Sequence, residues 1–151
     1  MSQEGANIFI GVDEAGRGCL AGPVVSASVA IYEDQVIEGV NDSKLLSPKK
    51  RDDLYDVIQN ECLSFSVASI DNHVIDQKNI LVATLQSMKD SIDAIGVNAD
   101  EIIIDGPHKP VMHDQRDLIT RGVIGGDKLF HCVSAAVSYT HLRAHETDSY
   151  L

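Results

Sequence analysis

Short apolar runs alternate with polar stretches along the chain, and four of these runs have the β-branched composition typical of strands. They are residues 8–12, 23–31, 62–70 and 101–104. A Gly-Arg-Gly sequence separates the first two runs, which are therefore predicted to form a hairpin with that turn near its bend. Apolar positions with helical spacing fill two further segments. The pattern as a whole predicts an α/β fold.

Both predicted helices have recognisable ends. The first begins at the Ser47-Pro48 pair, an N-cap followed by a proline in the first turn, and runs to about Asn60. The second runs from about Asn79 to Ile95 and is followed by a glycine, and its apolar stripe is assigned to the core.

The first strand ends in two adjacent acids, Asp13 and Glu14. A carboxylate that leaves water is costly unless a cation or hydrogen-bond donors meet it, so paired acids at a strand end favour a divalent-metal site. Neighbouring residues on a strand point to opposite faces, which leaves one alternative. In that alternative Asp13 is a buried cap and Glu14 is solvated.

The turn after these acids is suited to phosphate. Gly16 and Gly18 have no Cβ atom, so a ligand can approach the main-chain N–H groups on either side of Arg17. The guanidinium group of Arg17 adds a planar array of donors. Acids that hold a metal beside such a turn indicate phosphodiester chemistry.

The strand pattern predicts that one later acid joins the site. Asp105 ends the fourth strand, and neighbouring parallel strands bring their carboxyl ends together, so Asp105 should lie near Asp13. The loop after it, with a short strand around residues 122–124, leads to Asp127 on a turn predicted to be flexible. An ordinary turn aspartate is the alternative for Asp105, and it is what the local pattern alone indicates for Asp127.

Composition limits the partners. The chain has 151 residues, 44% of them hydrophobic, which fits one domain with a core. Its net charge of -11 argues against a generic nucleic-acid binder but not against a metal-dependent nuclease, whose acids face cations. A local basic cluster either docks a nucleic-acid backbone or is tolerated surface charge: Lys44, Lys49, Lys50 and Arg51.

Other features predict a cytoplasmic protein without a membrane segment. No apolar run approaches the roughly 20 residues of a membrane span, and the N-terminus lacks the regions of a signal peptide. Three cysteines without a C-x-x-C pattern predict reduced thiols. His108 and His113 lie in the predicted loop and are left out of the site.

The sequence DEAGRG, followed by LAGPVV, resembles the signature of ribonuclease HII, the type II ribonuclease H. The resemblance continues in order through NDSKLLSPKKRDDLYDVI, NILVATLQSMKDSI, IIIDG and GGDKLFHCVSAA, from about Ile8 to Ala136. It implies a ribonuclease H-like fold with a mixed central sheet flanked by helices. The catalytic domain would occupy residues 1–137 and would lack the family's C-terminal helices.

The resemblance also implies an activity: hydrolysis of the RNA strand of RNA–DNA hybrids, including cleavage 5′ to single ribonucleotides in duplex DNA, by a monomer. Two Mg²⁺ or Mn²⁺ ions would be held by the family's four carboxylates, which match Asp13, Glu14, Asp105 and Asp127. The family's substrate contacts match Gly16, Arg17 and Gly18, which would recognise the ribose 2′-hydroxyl, and Ser43 and Lys44 beside a phosphate.

The chain departs from the family after Ala136. Where family members resemble S-I-x-A-K-V-x-R-D, this chain has VSYTHLRAHETDSYL, so the lysine of that element is missing. Residues 138–151 resemble a translated sequencing adapter and are expected to be a non-native tail. His141 and His145 in this tail have helical i, i+4 spacing but no third metal ligand nearby in the sequence.

Three alternatives stay open at this point. The chain could be a catalytically impaired fragment that still binds hybrids, or a fragment without function. It could also be another nuclease or resolvase of the ribonuclease H fold, which would use clustered acids on a substrate without ribose. Metal-dependent cleavage of a hybrid, its dependence on a 2′-hydroxyl and cooperative folding distinguish them.

Overall fold

The computed structural model of the chain describes residues 6–15, 23–41, 46–71 and 80–148, with side chains as far as residue 141. Its strands are β1 (Ile8–Ala15), β2 (Val24–Tyr32), β3 (Ser64–Ile70), β4 (Glu101–Asp105) and β5 (Thr120–Val123). Its helices are α1 (Pro48–Glu61), α2 (Ile80–Ala94), the short α3 (Gly126–Leu129) and α4 (His131–Asp148), with a 3₁₀ helix at Gln115–Ile119.

The strands form one mixed sheet in the order β3-β2-β1-β4-β5. The β1–β2 and β2–β3 pairs are antiparallel, whereas β4 runs parallel to both β1 and β5. This arrangement confirms the predicted α/β fold with a mixed central sheet. It also confirms that β1 and β2 pair as a hairpin, although the predicted Gly-Arg-Gly turn lies outside the described residues.

Apolar residues cover both faces of the sheet because strand side chains alternate between faces. On one face, Ile10 and Val12 of β1 pack with Met88 and Ile92 of α2. The opposite face packs against α1 and α4, with a core that includes Val29, Ile103, Val133 and Tyr139. Asp13 shares the α4 face with Gly11, since the two positions are two residues apart on β1.

Helix α4 lies directly on β1 at Gly11. A Cβ atom at this position would be 2.1 Å from the carbonyl oxygen of Cys132 and 2.4 Å from the backbone nitrogen of Val133. Real Cβ atoms do not approach backbone that closely, so only glycine allows this packing. The contact fixes the position of α4 relative to the strand that carries Asp13.

The helix ends agree with the sequence patterns. Helix α1 begins after Ser47, whose hydroxyl oxygen accepts a hydrogen bond from the backbone N–H of Lys50 at 3.3 Å, as an N-cap does. Helix α2 ends near Gly96, which has a φ of 71°. The predicted flexible turn at Asp127 is wrong, because this residue lies in the first turn of α3, after the left-handed N-cap Gly125.

Two predicted cysteine thiols are free in the described part of the chain. Burial raises the pKa of Cys132 to about 12 and that of Cys62 to about 11, so both stay protonated near neutral pH. Cys19 lies outside the described residues. Among the helices that the structure describes, none has the length and apolar character to cross a bilayer.

Candidate active site

The carboxyl ends of β1 and β4 lie side by side. The parallel register pairs Val12 with Ile104, so the residues that follow them, Asp13 and Asp105, emerge next to each other at one end of the sheet. Val12 and Ile104 have no exposed surface, which holds both strand ends firmly in the core. The predicted meeting of these two acids therefore has a structural basis in the strand pairing.

Asp13 is electrostatically strained. Its pKa is raised to about 7, first because the carboxyl group is buried and then because Glu14 and Asp105 carry like charges. The Thr140 hydroxyl opposes this shift by donating a hydrogen bond to Oδ2 of Asp13 at 2.5 Å. A carboxylate in this situation gains stability from any cation that binds beside it.

Asp127 reaches the same cluster through α3. Burial raises the pKa of Asp105, and the negative charge of Asp127 raises it further. Backbone N–H groups of Asp127 and Gly126 oppose the shift by hydrogen bonding to Asp105, as does a hydrogen bond with the Asp13 side chain. A Cβ atom on Gly126 would lie 3.7 Å from Oδ1 of Asp105, which shows how closely α3 approaches β4.

The donor set fits hard divalent cations. Asp13, Glu14, Asp105 and Asp127 offer only carboxylate oxygens, the ligands that Mg²⁺ and Mn²⁺ prefer and zinc sites use less often. Within the described ranges, however, no group of three or more His, Cys, Asp or Glu side chains has a ready-made metal-binding arrangement. The acids are nevertheless close enough that, in addition to burial, their like charges raise the pKa values of Asp13 and Asp105.

Three histidines between β4 and the start of α4 lie within the described residues. His108 and His113 are exposed on the segment between β4 and the 3₁₀ helix. His131 was not singled out in the sequence, yet its Nε2 atom accepts a hydrogen bond from the backbone N–H of Ile37 at 2.8 Å. The side chain of His145, which has i, i+4 spacing from His141, lies outside the described part of the chain.

Helix α4 also holds the segment that precedes Ser43 and Lys44. The hydroxyl of Ser134 donates to Oδ1 of Asn41 at 2.7 Å, and the hydroxyl of Ser138 donates to the backbone oxygen of Val40 at 2.7 Å. All five predicted substrate contacts lie outside the described residues: Gly16, Arg17, Gly18, Ser43 and Lys44.

The first residues of the expected tail are part of this packing. Ser138, Tyr139 and Thr140 are each about 1% exposed. The ring of Tyr139 stacks on that of Tyr55 with centroids 4.8 Å apart, and its hydroxyl accepts a hydrogen bond from Gln59 at 2.9 Å. The start of the expected non-native tail is therefore part of the fold, because α4 continues through these three residues and one of them contacts Asp13.

Comparison with known protein families assigns the chain to one of them. The sequence model of the family described as Ribonuclease HII matches residues 10–138, which is most of the chain. The chain belongs to the ribonuclease HII family. The match confirms the resemblance to this family that the sequence motifs indicated. The acids at the ends of β1 and β4 lie inside the matched region.

Individual members of the family support the assignment. The ribonuclease HII of Caldicellulosiruptor saccharolyticus is 42% identical over 134 residues, which cover 89% of this chain and 63% of that protein. The chain thus spans less than two thirds of the length of this ribonuclease HII. Its family membership is established over the matched part.

Solved structures show the same fold. The ribonuclease H2 of Pyrococcus horikoshii OT3 matches with a TM-score of 0.74 at 22% identity, covering 95% of this chain and 75% of that one. Bst-RNase HIII, solved in complex with Mn²⁺, matches with a TM-score of 0.70 at 22% identity, covering 96% of this chain and 54% of that one. The mixed sheet and its flanking helices are therefore those of the ribonuclease H enzymes.

Proposed function

We propose that this chain carries the catalytic centre of a ribonuclease HII and hydrolyses the RNA strand of RNA–DNA hybrids, including the bond 5′ to a single ribonucleotide in duplex DNA. The observation that carries the proposal is the convergence of Asp13, Asp105 and Asp127 at one end of the sheet, where their charges act on one another. Family membership over residues 10–138 supports it.

In this proposal Asp13, Glu14, Asp105 and Asp127 hold two divalent ions, Mg²⁺ or Mn²⁺. The ions would supply activation of the attacking water and stabilisation of the leaving 3′ oxygen. The chain's own contribution is to bring the four carboxylates together and to keep Asp13 buried, where its charge interacts strongly with a bound cation.

Substrate recognition is proposed to come from two segments. Gly16, Arg17 and Gly18 would read the ribose 2′-hydroxyl, and Ser43 and Lys44 would contact a phosphate. The basic first turn of α1 supports a nucleic-acid contact, because Lys49 and Lys50 are exposed and no acid lies in that turn.

Cleavage of labelled duplexes by the whole chain and by Asp13→Asn tests the proposal. The substrates are an RNA–DNA hybrid, a DNA duplex with one ribonucleotide and an all-DNA duplex, each with Mn²⁺ and with Mg²⁺. We expect the first two to be cut by the unmodified chain and none by Asp13→Asn, whose amide removes a negative charge from the ion site. Hybrid binding should survive in this variant.

Asp34→Asn is the matched control. Asp34 is exposed and follows the end of β2 that pairs with the start of β1, so it lies at the opposite end of the sheet from Asp13. This variant should cut as the unmodified chain does. Metal-dependent cleavage retained by Asp13→Asn would contradict the assigned role.

A catalytically impaired, hybrid-binding fragment is the second candidate, because the chain spans only 63% of the Caldicellulosiruptor relative. Binding of the hybrid without cleavage by the unmodified chain, under conditions where a full-length family member cuts, would favour it.

We further propose that residues 138–151 are a non-native tail and that the protein is a cytoplasmic monomer. The family match ends at residue 138, which supports the first part. Source DNA in which this tail continues into genomic flanks would refute it. Light scattering of the purified chain tests the monomer, and cell fractionation tests the location.

A further inference from the structure

Thr140 connects α4 with the acidic cluster. Its hydroxyl lies 2.5 Å from Oδ2 of Asp13, and it is also 3.1 Å and 3.0 Å from the backbone oxygens of Ala136 and Val137. A hydroxyl has one proton to donate. The short distance and the charge on a carboxylate favour Asp13 as the acceptor over the two peptide carbonyl groups.

The contact is held in place from both sides. The side chain of Thr140 is about 1% exposed, and a β-branched side chain in a helix has few accessible rotamers. Its helix cannot drift from β1, because α4 rests on the strand at Gly11 without room for a Cβ atom. Thr140 and Asp13 are 127 positions apart in the sequence but are joined by this hydrogen bond.

We propose that Thr140 is a positioning residue that fixes the Asp13 carboxyl group through Oδ2 and thereby strengthens divalent-cation binding by the acidic cluster. The inference rests on the proposed function, which makes Asp13 a metal ligand. A group that hydrogen-bonds to a metal ligand holds that ligand's side chain in one orientation, so less conformational entropy is lost when the metal binds. Thr140 lies in the segment proposed to be non-native, so the contact is a property of this chain and is tested on it.

Mn²⁺ binding to the whole chain tests this role without requiring activity. Free Mn²⁺ is followed by electron paramagnetic resonance during titration of the unmodified chain, Thr140→Val and Thr140→Ser. Valine keeps the shape and removes the hydroxyl, whereas serine restores it. We expect Thr140→Val to weaken Mn²⁺ affinity about 10- to 100-fold and Thr140→Ser to recover most of the loss.

Thr84→Val is the matched control, because Thr84 is also about 1% exposed in a helix but donates only to its own helix, at the backbone oxygen of Ile80. It should leave Mn²⁺ affinity unchanged. Circular-dichroism melting confirms that each variant is folded. If Thr140→Val does not fold, Thr140→Ala serves as the variant without a hydroxyl.

The outcomes separate the two proposals. Unchanged Mn²⁺ affinity in the variant without a hydroxyl, together with loss of binding in Asp13→Asn, would overturn the role of Thr140 and leave the proposed function intact. Equal weakening by valine and serine would also overturn it, because the hydroxyl would then not matter. If the unmodified chain binds no Mn²⁺, or if Asp13→Asn binds it equally well, both the role of Thr140 and the proposed function would be overturned.

Discussion

Among the glycines that the structure describes, Gly11 is the one at which an added methyl group would come closest to another atom. In Gly11→Ala the new Cβ atom would start 2.1 Å from the Cys132 carbonyl oxygen, and ordinary contact begins at 3.4 Å. The difference, 3.4 minus 2.1, is 1.3 Å by which strand and helix must separate. The obstructing atoms are backbone, so no side-chain rotation relieves the clash.

The cost follows from that displacement. Overpacking a core typically costs about 1–3 kcal/mol. The obstructing atoms in Gly11→Ala belong to the backbone and not to a flexible side chain. We therefore expect this variant to lose about 3 kcal/mol or more of its free energy of unfolding, at or above the upper end of that range. A loss of this size is a large part of the roughly 5–15 kcal/mol by which domains are stable.

Urea unfolding followed by circular dichroism measures the effect as a lower midpoint at an unchanged slope. Gly126→Ala is the control, because its Cβ atom would meet its neighbours at 3.5 Å or more, which is ordinary contact. It should be close to neutral. A Gly11→Ala protein within about 0.5 kcal/mol of the unmodified chain would refute the close packing of α4 on β1.

Two further predictions concern α4. Ser134→Ala should lose the hydrogen bond to Asn41 and lower the free energy of unfolding by about 1 kcal/mol. Because Ser43 and Lys44 are proposed to contact the substrate, this variant should also weaken hybrid binding in a filter assay more than the Thr84→Val control does. Equal binding by both variants would contradict this. Burial lowers the pKa of His131, so the folded chain favours the neutral ring that accepts the N–H of Ile37. The stability from His131 is present above its unfolded pKa of about 6.5 and is lost as the pH falls through the lower folded value. The urea midpoint should therefore fall less between pH 7.5 and pH 5 in His131→Gln than in the unmodified chain, and an equal fall in both would show that His131 does not contribute.

The sequence was sufficient to predict the features that local patterns determine. The Ser47 cap predicted the start of α1, and the acid after each of two apolar strands predicted that Asp13 and Asp105 would meet. These predictions succeed because caps and strand ends depend on residues close together in the chain.

The failures have a different physical origin. Asp127 was expected on a flexible turn because two glycines precede it, but only Gly125 has a positive φ and Gly126 already begins α3. The contact between Thr140 and Asp13 depends on how α4 lies across β1, which no local pattern encodes. The same holds for His131 and Ile37, 94 residues apart.

The position of residues 138–140 has a practical consequence for any redesign of the chain after residue 137. Thr140 donates a hydrogen bond to Asp13, Ser138 donates one to the backbone oxygen of Val40, and the ring of Tyr139 stacks on that of Tyr55. Any change of sequence at these positions would therefore exchange three buried side chains, one of which contacts Asp13. A variant that differs here needs its fold and its ion affinity measured afresh.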